Sequence, residues 1–264
     1  MTLYKYMPLD RLEKIFRSDG VWLKLSSPSE FNDPFDSTGQ VVGMPSKSFV
    51  RHYAQNRTDL LKRCRGDLAE MSEIVRDDFS LLMGTRTQFD DFLRILCVSD
   101  APSAAEPLMW SHYACNASGA RIAIDFSDCN VCPVPINYCF SAPFLDVGRA
   151  KWFNGDDSAI SSFCLTCVFS KNIAWSYERE WRVMFKIDSI DDLKAHGIEV
   201  VCKNGIYFWL PPQSAVKGID FGSQAKGIDS IVKRIAANGY VNIEINVAKK
   251  NYNSYGYTYE PYKN

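Results

Sequence analysis

Two carboxylates and a guanidinium crowd together in Trp175-Ser-Tyr-Glu-Arg-Glu-Trp-Arg182, where Glu178, Glu180 and Arg182 stand among three large aromatic side chains. A carboxylate held in a water-poor pocket stabilises a cationic transition state. A second carboxylate nearby orients a nucleophile or raises its partner's pKa. The structural reading is that Arg182 pairs with one glutamate, while Lys171 and Lys186 screen the other. The run Glu180–Lys186 alternates as a half-buried strand, with Trp181, Val183 and Phe185 on one face. Glu180 and Arg182 then share the opposite face, and Glu178 joins them if the extended backbone reaches back to Tyr177.

A second group lies in Leu108-Met-Trp-Ser-His-Tyr-Ala-Cys-Asn116. On a helix Met109, His112 and Asn116 share a face, with Tyr113 beside them. His112 is the best placed of only three histidines for acid–base work, against the alternative of a hydrogen-bonded structural ring. A third group is the loop Asn32-Asp-Pro-Phe-Asp36, which offers polar groups to a ligand. The same residue order suits a helix start, with Asp33 as N-cap, Pro34 first in the helix and Asp36 near its third position. The two readings are compatible, because a helix N-terminus also attracts anions. Neither a Gly-x-Ser-x-Gly elbow nor a phosphate-binding glycine loop occurs, which takes most of the weight from those reaction classes.

The nine cysteines include Cys129-x-x-Cys132 and Cys164-x-x-Cys167, spaced like thiolate ligands. The wide gap between the pairs and the apolar setting Phe163-Cys-Leu-Thr-Cys-Val-Phe169 favour packed, reduced thiols over a metal. A net charge of −1 offers no whole-chain attraction to nucleic acid or acidic membranes. The opening residues contain no apolar run long enough for a signal peptide, and no stretch reads as a bilayer span. A cytoplasmic protein without membrane association is expected.

The elements that must position these groups follow from pattern. Leu3–Tyr6 reads as a strand, Pro8–Ser18 as a helix with Gly20 beyond it, and Val21–Leu25 as a second strand. Residues 46–93 read as a helical insertion, apolar-periodic over Leu68–Met83. Arg94–Ser99, Arg121–Phe126, Val134–Tyr138, Gly205–Leu210 and Val241–Val247 read as further strands. Pro107–Cys115 reads as a short helix ended by Gly119, and Ser223–Asn238 as a late helix with Ile228, Ile231, Val232 and Ile235 on one stripe. Strands interleaved irregularly with helices predict a single α+β domain over 1–264, with a mixed, mostly antiparallel sheet.

Several stretches together resemble a bacterial family catalogued as domain of unknown function 2971. They are Leu3-Tyr-Lys-Tyr6, Ser26-Ser-Pro-Ser-Glu-Phe-Asn-Asp-Pro-Phe-Asp36, Leu108-Met-Trp-Ser-His-Tyr-Ala114 with Gly119, and Lys171 followed by Trp175–Arg182. The opening strand–helix–strand–Asn-Asp-Pro layout is also similar to ADP-ribosyltransferase-like domains. That resemblance implies NAD in the cleft of a split sheet, an early His or Tyr on the nicotinamide side, and a late glutamate on the ribose. Glu178-Arg179-Glu180 matches the Glu/Gln-x-Glu of arginine-modifying members, and Lys5 stands where histidine is usual. Glu180 would then stabilise the oxocarbenium ion, Glu178 would activate the acceptor, and Tyr4 or Tyr6 would line the nicotinamide pocket.

The candidate catalytic residues are accordingly Glu180, Glu178 and His112. The candidate NAD-binding residues are Tyr4, Lys5, Tyr6, Asn32, Asp33, Tyr113 and Arg182. The expected function is an NAD-consuming, ADP-ribosyltransferase-like enzyme, acting as a toxin or anti-phage effector, with NAD as co-substrate and no metal. Its acceptor would be protein, nucleic acid or water, and a partner protein in a defence or toxin system fits the same picture. Two other readings remain: an Mg-dependent nuclease-like site of Asp33, Asp36, Glu178 and Glu180, and a non-enzymatic module binding a nucleotide or peptide.

Overall fold

Leu3 and Met7 alternate with Tyr4 and Tyr6, and that alternation decides which side of the first strand faces the core. The structure is a computed structural model that describes residues 1–55, 57–100, 106–148 and 158–263. It is α+β with mostly antiparallel sheets. Two compact units divide the chain: Met1–Ser26, Phe92–Ile136 and Ala174–Asn264 form the first, Ser27–Asp91 and Asn137–Ile173 the second.

The first unit is built on an eight-stranded sheet. Its strands are β1 (Thr2–Met7), β2 (Leu93–Ser99), β3 (Ala120–Asp125), β4 (Val134–Pro135), β5 (Glu180–Lys186), β6 (Val216–Phe221), β7 (Glu244–Asn251) and β8 (Gly256–Pro261). Their order is β8-β7-β6-β3-β1-β2-β5-β4. Only β6 and β7 run parallel within it. A parallel pair needs a crossover, which the helix Ile228–Ala237 supplies, burying Ile231 and Ile235. One sheet face is apolar: Leu3, Met7, Leu96, Val98, Ile122, Ile124, Val183, Phe185, Ile219 and Phe221 all enter the core. A smaller sheet of Glu199–Lys203, Ile206–Leu210 and Leu23–Lys24 adds Trp209 to that core. Its hairpin turns on Asn204-Gly205, both at positive φ, as a two-residue loop requires.

The large sheet parts in its middle. β1 pairs with β3 along its whole length, yet meets β2 only at Tyr4 opposite Ser99. Beyond that point Lys5 Nζ donates to the Cys97 carbonyl at 2.8 Å. A side-chain ammonium thus satisfies an acceptor in the opened region.

Several elements differ from the pattern-based reading. The first helix is Leu9–Ile15, shorter than Pro8–Ser18, because Phe16–Arg17 turns away to pair with Gly20–Val21. The strand expected over Val21–Leu25 is interrupted at Trp22, whose N–H bonds Ile15 O. Val134–Tyr138 divides at Ile136: Val134–Pro135 pairs with β5, and Asn137–Cys139 pairs in parallel with Ser170–Asn172 in the second unit. That unit also contains the helices Lys47–Gln55, Thr58–Arg63 and Leu68–Gly84 of the helical insertion, whose Asn56 lies outside the described residues. Phe49, Val50, Leu60, Met71, Val75 and Phe79 pack there with Val147, Phe163 and Cys167.

Candidate functional site

The face of the large sheet opposite the apolar core is polar, and the strand registers show why its residues meet. Glu180 lies opposite Ser99, and Ser99 lies opposite Tyr4. Arg182 lies opposite Cys97 on the same face. Continuing across the sheet, Tyr6 lies opposite Arg121, and Arg121 opposite Asp220. The helix Glu106–Tyr113 packs over this face, touching β1 and β8. Glu106, Trp110 and Tyr113 fall at helical spacing on one of its sides.

At one end sits the carboxylate pair. Arg182 Nε donates to Glu180 Oε1 at 2.7 Å and Nη2 to Oε2 at 3.3 Å, with both residues buried. Burial pushes the Lys5 ammonium below its ordinary pKa, opposed by Cys97 and Glu180 nearby. The Cys97 thiol is pushed up, first by burial and then by the charge of Glu180. Glu178 is buried as well and accepts a hydrogen bond from Tyr113 Oη.

Glu178 does not continue the strand. It ends a 3-10 turn over Ile173–Glu178, and Arg179 adopts φ 46° before β5 begins. The extended backbone therefore stops at Glu180, which corrects the expectation that Glu178 shares the face by alternation. A bulky residue in the left-handed region is strained. Asp100 holds it there, since its N–H bonds Arg179 O at 3.0 Å and its carboxylate pairs with the Arg179 guanidinium.

At the other end is a cluster that pattern reading missed. Arg121, 2% exposed, donates to Glu106 Oε1 at 2.6 Å, to Tyr6 Oη at 2.9 Å and to Asp220 Oδ2 at 2.8 Å. Its guanidinium stacks on Tyr4 and Tyr259, 4.3 and 4.2 Å from their ring centres. Tyr259 Oη donates to Glu106, Trp110 Nε1 donates to Tyr259 Oη, and Asn246 donates to Asp220. Burial raises the Tyr6 hydroxyl to about 12, with Glu106 and Asp220 adding to the shift against Arg121. The available signal was a charged residue inside apolar strands: Arg121 in Arg-Ile-Ala-Ile, Asp220 in Gly-Ile-Asp-Phe. Such residues must find partners.

The sequence candidates thus fall in different places. Glu178, Glu180, Arg182 and Tyr113 gather at one end of the polar face, and Lys5, which shares the alternation of Leu3 and Met7, reaches the parting of the sheet through its bond to Cys97 O. Tyr4 and Tyr6 belong to the Arg121 cluster, although Tyr4 shares a cross-strand row with Glu180. His112 is exposed at the helix end, its ring 6.0 Å from Tyr177. Asn116 does not share its helical face, because Cys115, Asn116 and Ala117 all take positive φ, and Asn116 Oδ1 accepts from Ser111. Gly119 then passes so close to Met7 O that a Cβ would come within 2.3 Å.

Asn32 and Asp33 lie in the second unit. No helix follows Asp33, contrary to the cap expected there. Its Oδ1 accepts from Phe35 N–H at 2.9 Å, forming a local turn that ends at Ser37 with φ 57°. Asp33 is buried, and its Oδ2 has no hydrogen-bond partner among the described residues. Asp36 accepts from Ser37 Oγ and lies 3.8 Å from Lys171 Nζ. Cys164 and Cys167 lie on the helix Ser158–Val168, and burial raises the Cys167 thiol to about 12. Among the described residues no three His, Cys, Asp or Glu side chains assemble as a metal site, and no helix is long and apolar enough to cross a membrane. Compared with family models, curated proteins and solved structures, the chain matches none.

Proposed function

We propose that this protein consumes NAD by breaking the bond between ribose C1′ and nicotinamide, with Glu180 as the fixed negative charge facing the ribosyl cation. The observation that carries this reading is the position of Glu180. It is a buried carboxylate, oriented through both oxygens by Arg182, in one row with Ser99 and Tyr4 where the sheet parts. A charge fixed before reaction, in a site poor in water, acts on a developing cation without reorganising. As the bond breaks, its electron pair leaves with the ring as neutral nicotinamide. The acceptor's nucleophile forms the new bond to C1′, and its proton passes to Glu178, which Tyr113 holds in place. The similarity of the opening layout and of Glu178-Arg179-Glu180 to ADP-ribosyltransferase-like domains suggests the same chemistry, and with it a role as toxin or anti-phage effector.

The test is to incubate purified protein with NAD and follow free nicotinamide, with cell lysate supplied as acceptor. Wild type is expected to release it, and Glu180→Gln to be slower by about 10²–10³-fold, the effect of removing one transition-state contact. Because Glu180→Gln disturbs a buried ion pair, Glu178→Gln is the companion variant, leaving Arg182 and Glu180 paired. No release by folded wild-type protein rules the reading out.

A further inference from the structure

The hairpin joining β7 to β8 presents two tyrosines that its own turn does not require. Tyr252 and Tyr255 are 81% and 88% exposed, within four residues of each other. Aromatic rings bury the largest areas of any side chains, so two left in water on one tip call for an explanation. The tip is held by local bonds. Asn253 N–H donates to Asn251 Oδ1 at 3.1 Å, Ser254 N–H to Asn251 O at 3.4 Å, and the strands pair up to Asn251 opposite Gly256. Tyr255 sits at φ 50°, a conformation that suits Gly or Asn and disfavours a bulky residue. Local turn chemistry therefore argues against a tyrosine at this position, and its exposed ring serves no contact among the described residues of the turn.

Charge is sorted along the same hairpin. Lys249 and Lys250 lie next to the tip, both exposed, opposite Thr258 and Tyr257. The acidic residues Glu244 and Glu260 stand toward the far end. The tip is thus locally cationic although the whole chain carries −1.

We infer that this hairpin tip binds single-stranded nucleic acid, with Tyr252 and Tyr255 stacking on bases and Lys249 and Lys250 meeting phosphates. Flat rings beside cations fit that ligand because every unstacked base offers a π-face, whereas a duplex keeps its faces covered. The polar Asn and Ser between the rings suit a wet groove of bases better than insertion into lipid. This binding does not depend on NAD consumption.

The experiment measures fluorescence anisotropy of labelled oligonucleotides of roughly 16 nucleotides, the upper end of single-domain site sizes. Single strand and duplex of the same sequence are compared between about 50 and 200 mM salt. Wild type is expected to bind the single strand, more weakly as salt rises. Tyr252→Ala with Tyr255→Ala should weaken binding by about tenfold or more. Lys249→Gln with Lys250→Gln should make the log–log salt slope shallower by roughly 1.4, or about 0.7 per phosphate contact. All four positions are exposed, so circular dichroism should match wild type. Absence of binding, equal binding of duplex, or unchanged affinity in the tyrosine variant would each overturn the inference.

Discussion

Arg121 and Arg182 are both buried on the polar face of one sheet, and their surroundings differ. Arg121 draws its partners from far along the chain: Glu106 from a helix, Asp220 from β6, Tyr4 and Tyr6 from β1, and Tyr259 from β8. Glu106 and Tyr259 are also bonded to each other, so the cluster ties three other strands and a helix to β3. Arg182 bonds both oxygens of Glu180, two residues away on its own strand. Nearby lie a second buried carboxylate, an ammonium lowered by burial and a strained backbone at Arg179. Redundant long-range bonding is what a structural weld looks like. Charge concentrated beside backbone strain is where chemistry tends to be found.

The comparison breaks most directly at the arginines. Arg121→Met leaves Glu106 and Asp220 buried without their cation and should cost about 3–5 kcal/mol in urea unfolding. Arg182→Met should cost less, because Lys5 remains close enough to offset the charge of Glu180. Equal losses would mean that the two sites are built alike. A smaller effect distinguishes the clusters by pH. The Tyr6 pKa is raised from 10.0 to about 12 in the folded state. Its contribution is therefore whole below pH 10.0 and is lost as pH rises through about 12, an effect on the order of 2 kcal/mol. Tyr6→Phe should flatten that alkaline fall in stability. Lys5 acts with the opposite sign, since its lowered pKa makes stability rise with pH up to the ordinary lysine range. The smallest change in stability is expected from Arg179→Gly. Relief of the left-handed conformation, on the order of 1 kcal/mol, is offset by the greater freedom of the unfolded chain. Nicotinamide release should nevertheless fall, because the link between Glu178 and Glu180 loosens. Full activity in that variant would remove strain from the account of the site.

The legible parts of the fold were those whose side chains alternate or recur strongly. Leu3–Tyr6, Arg94–Ser99, Arg121–Phe126 and the late helix all appear close to where periodicity puts them. The strand of Glu180 and Arg182 is also where alternation places it, and the two do share a face. Val216–Phe221 was not legible, although it is central to the sheet, because Gly218 and Asp220 interrupt its apolar run. Its strand conformation comes from neighbours on both sides. The helix Ser158–Val168 escaped notice because its stretch of thiols, serines and aromatics has no clear period. The helix expected after Asp33 failed for a local reason, as the aspartate oxygen bonded the second residue onward and closed a turn.

Sequence by itself determined the fold class and the apolar face of the sheet, because alternation is a property of neighbours along the chain. It also singled out Glu178, Glu180 and Arg182 as charges too close to indole rings to be ordinary surface. Only the tertiary structure decided that Arg121 meets Asp220 across 99 residues, that Lys5 enters the parted sheet, and that Tyr113 reaches Glu178. Those contacts depend on strand order and register, which long-range pairing sets and local pattern does not encode.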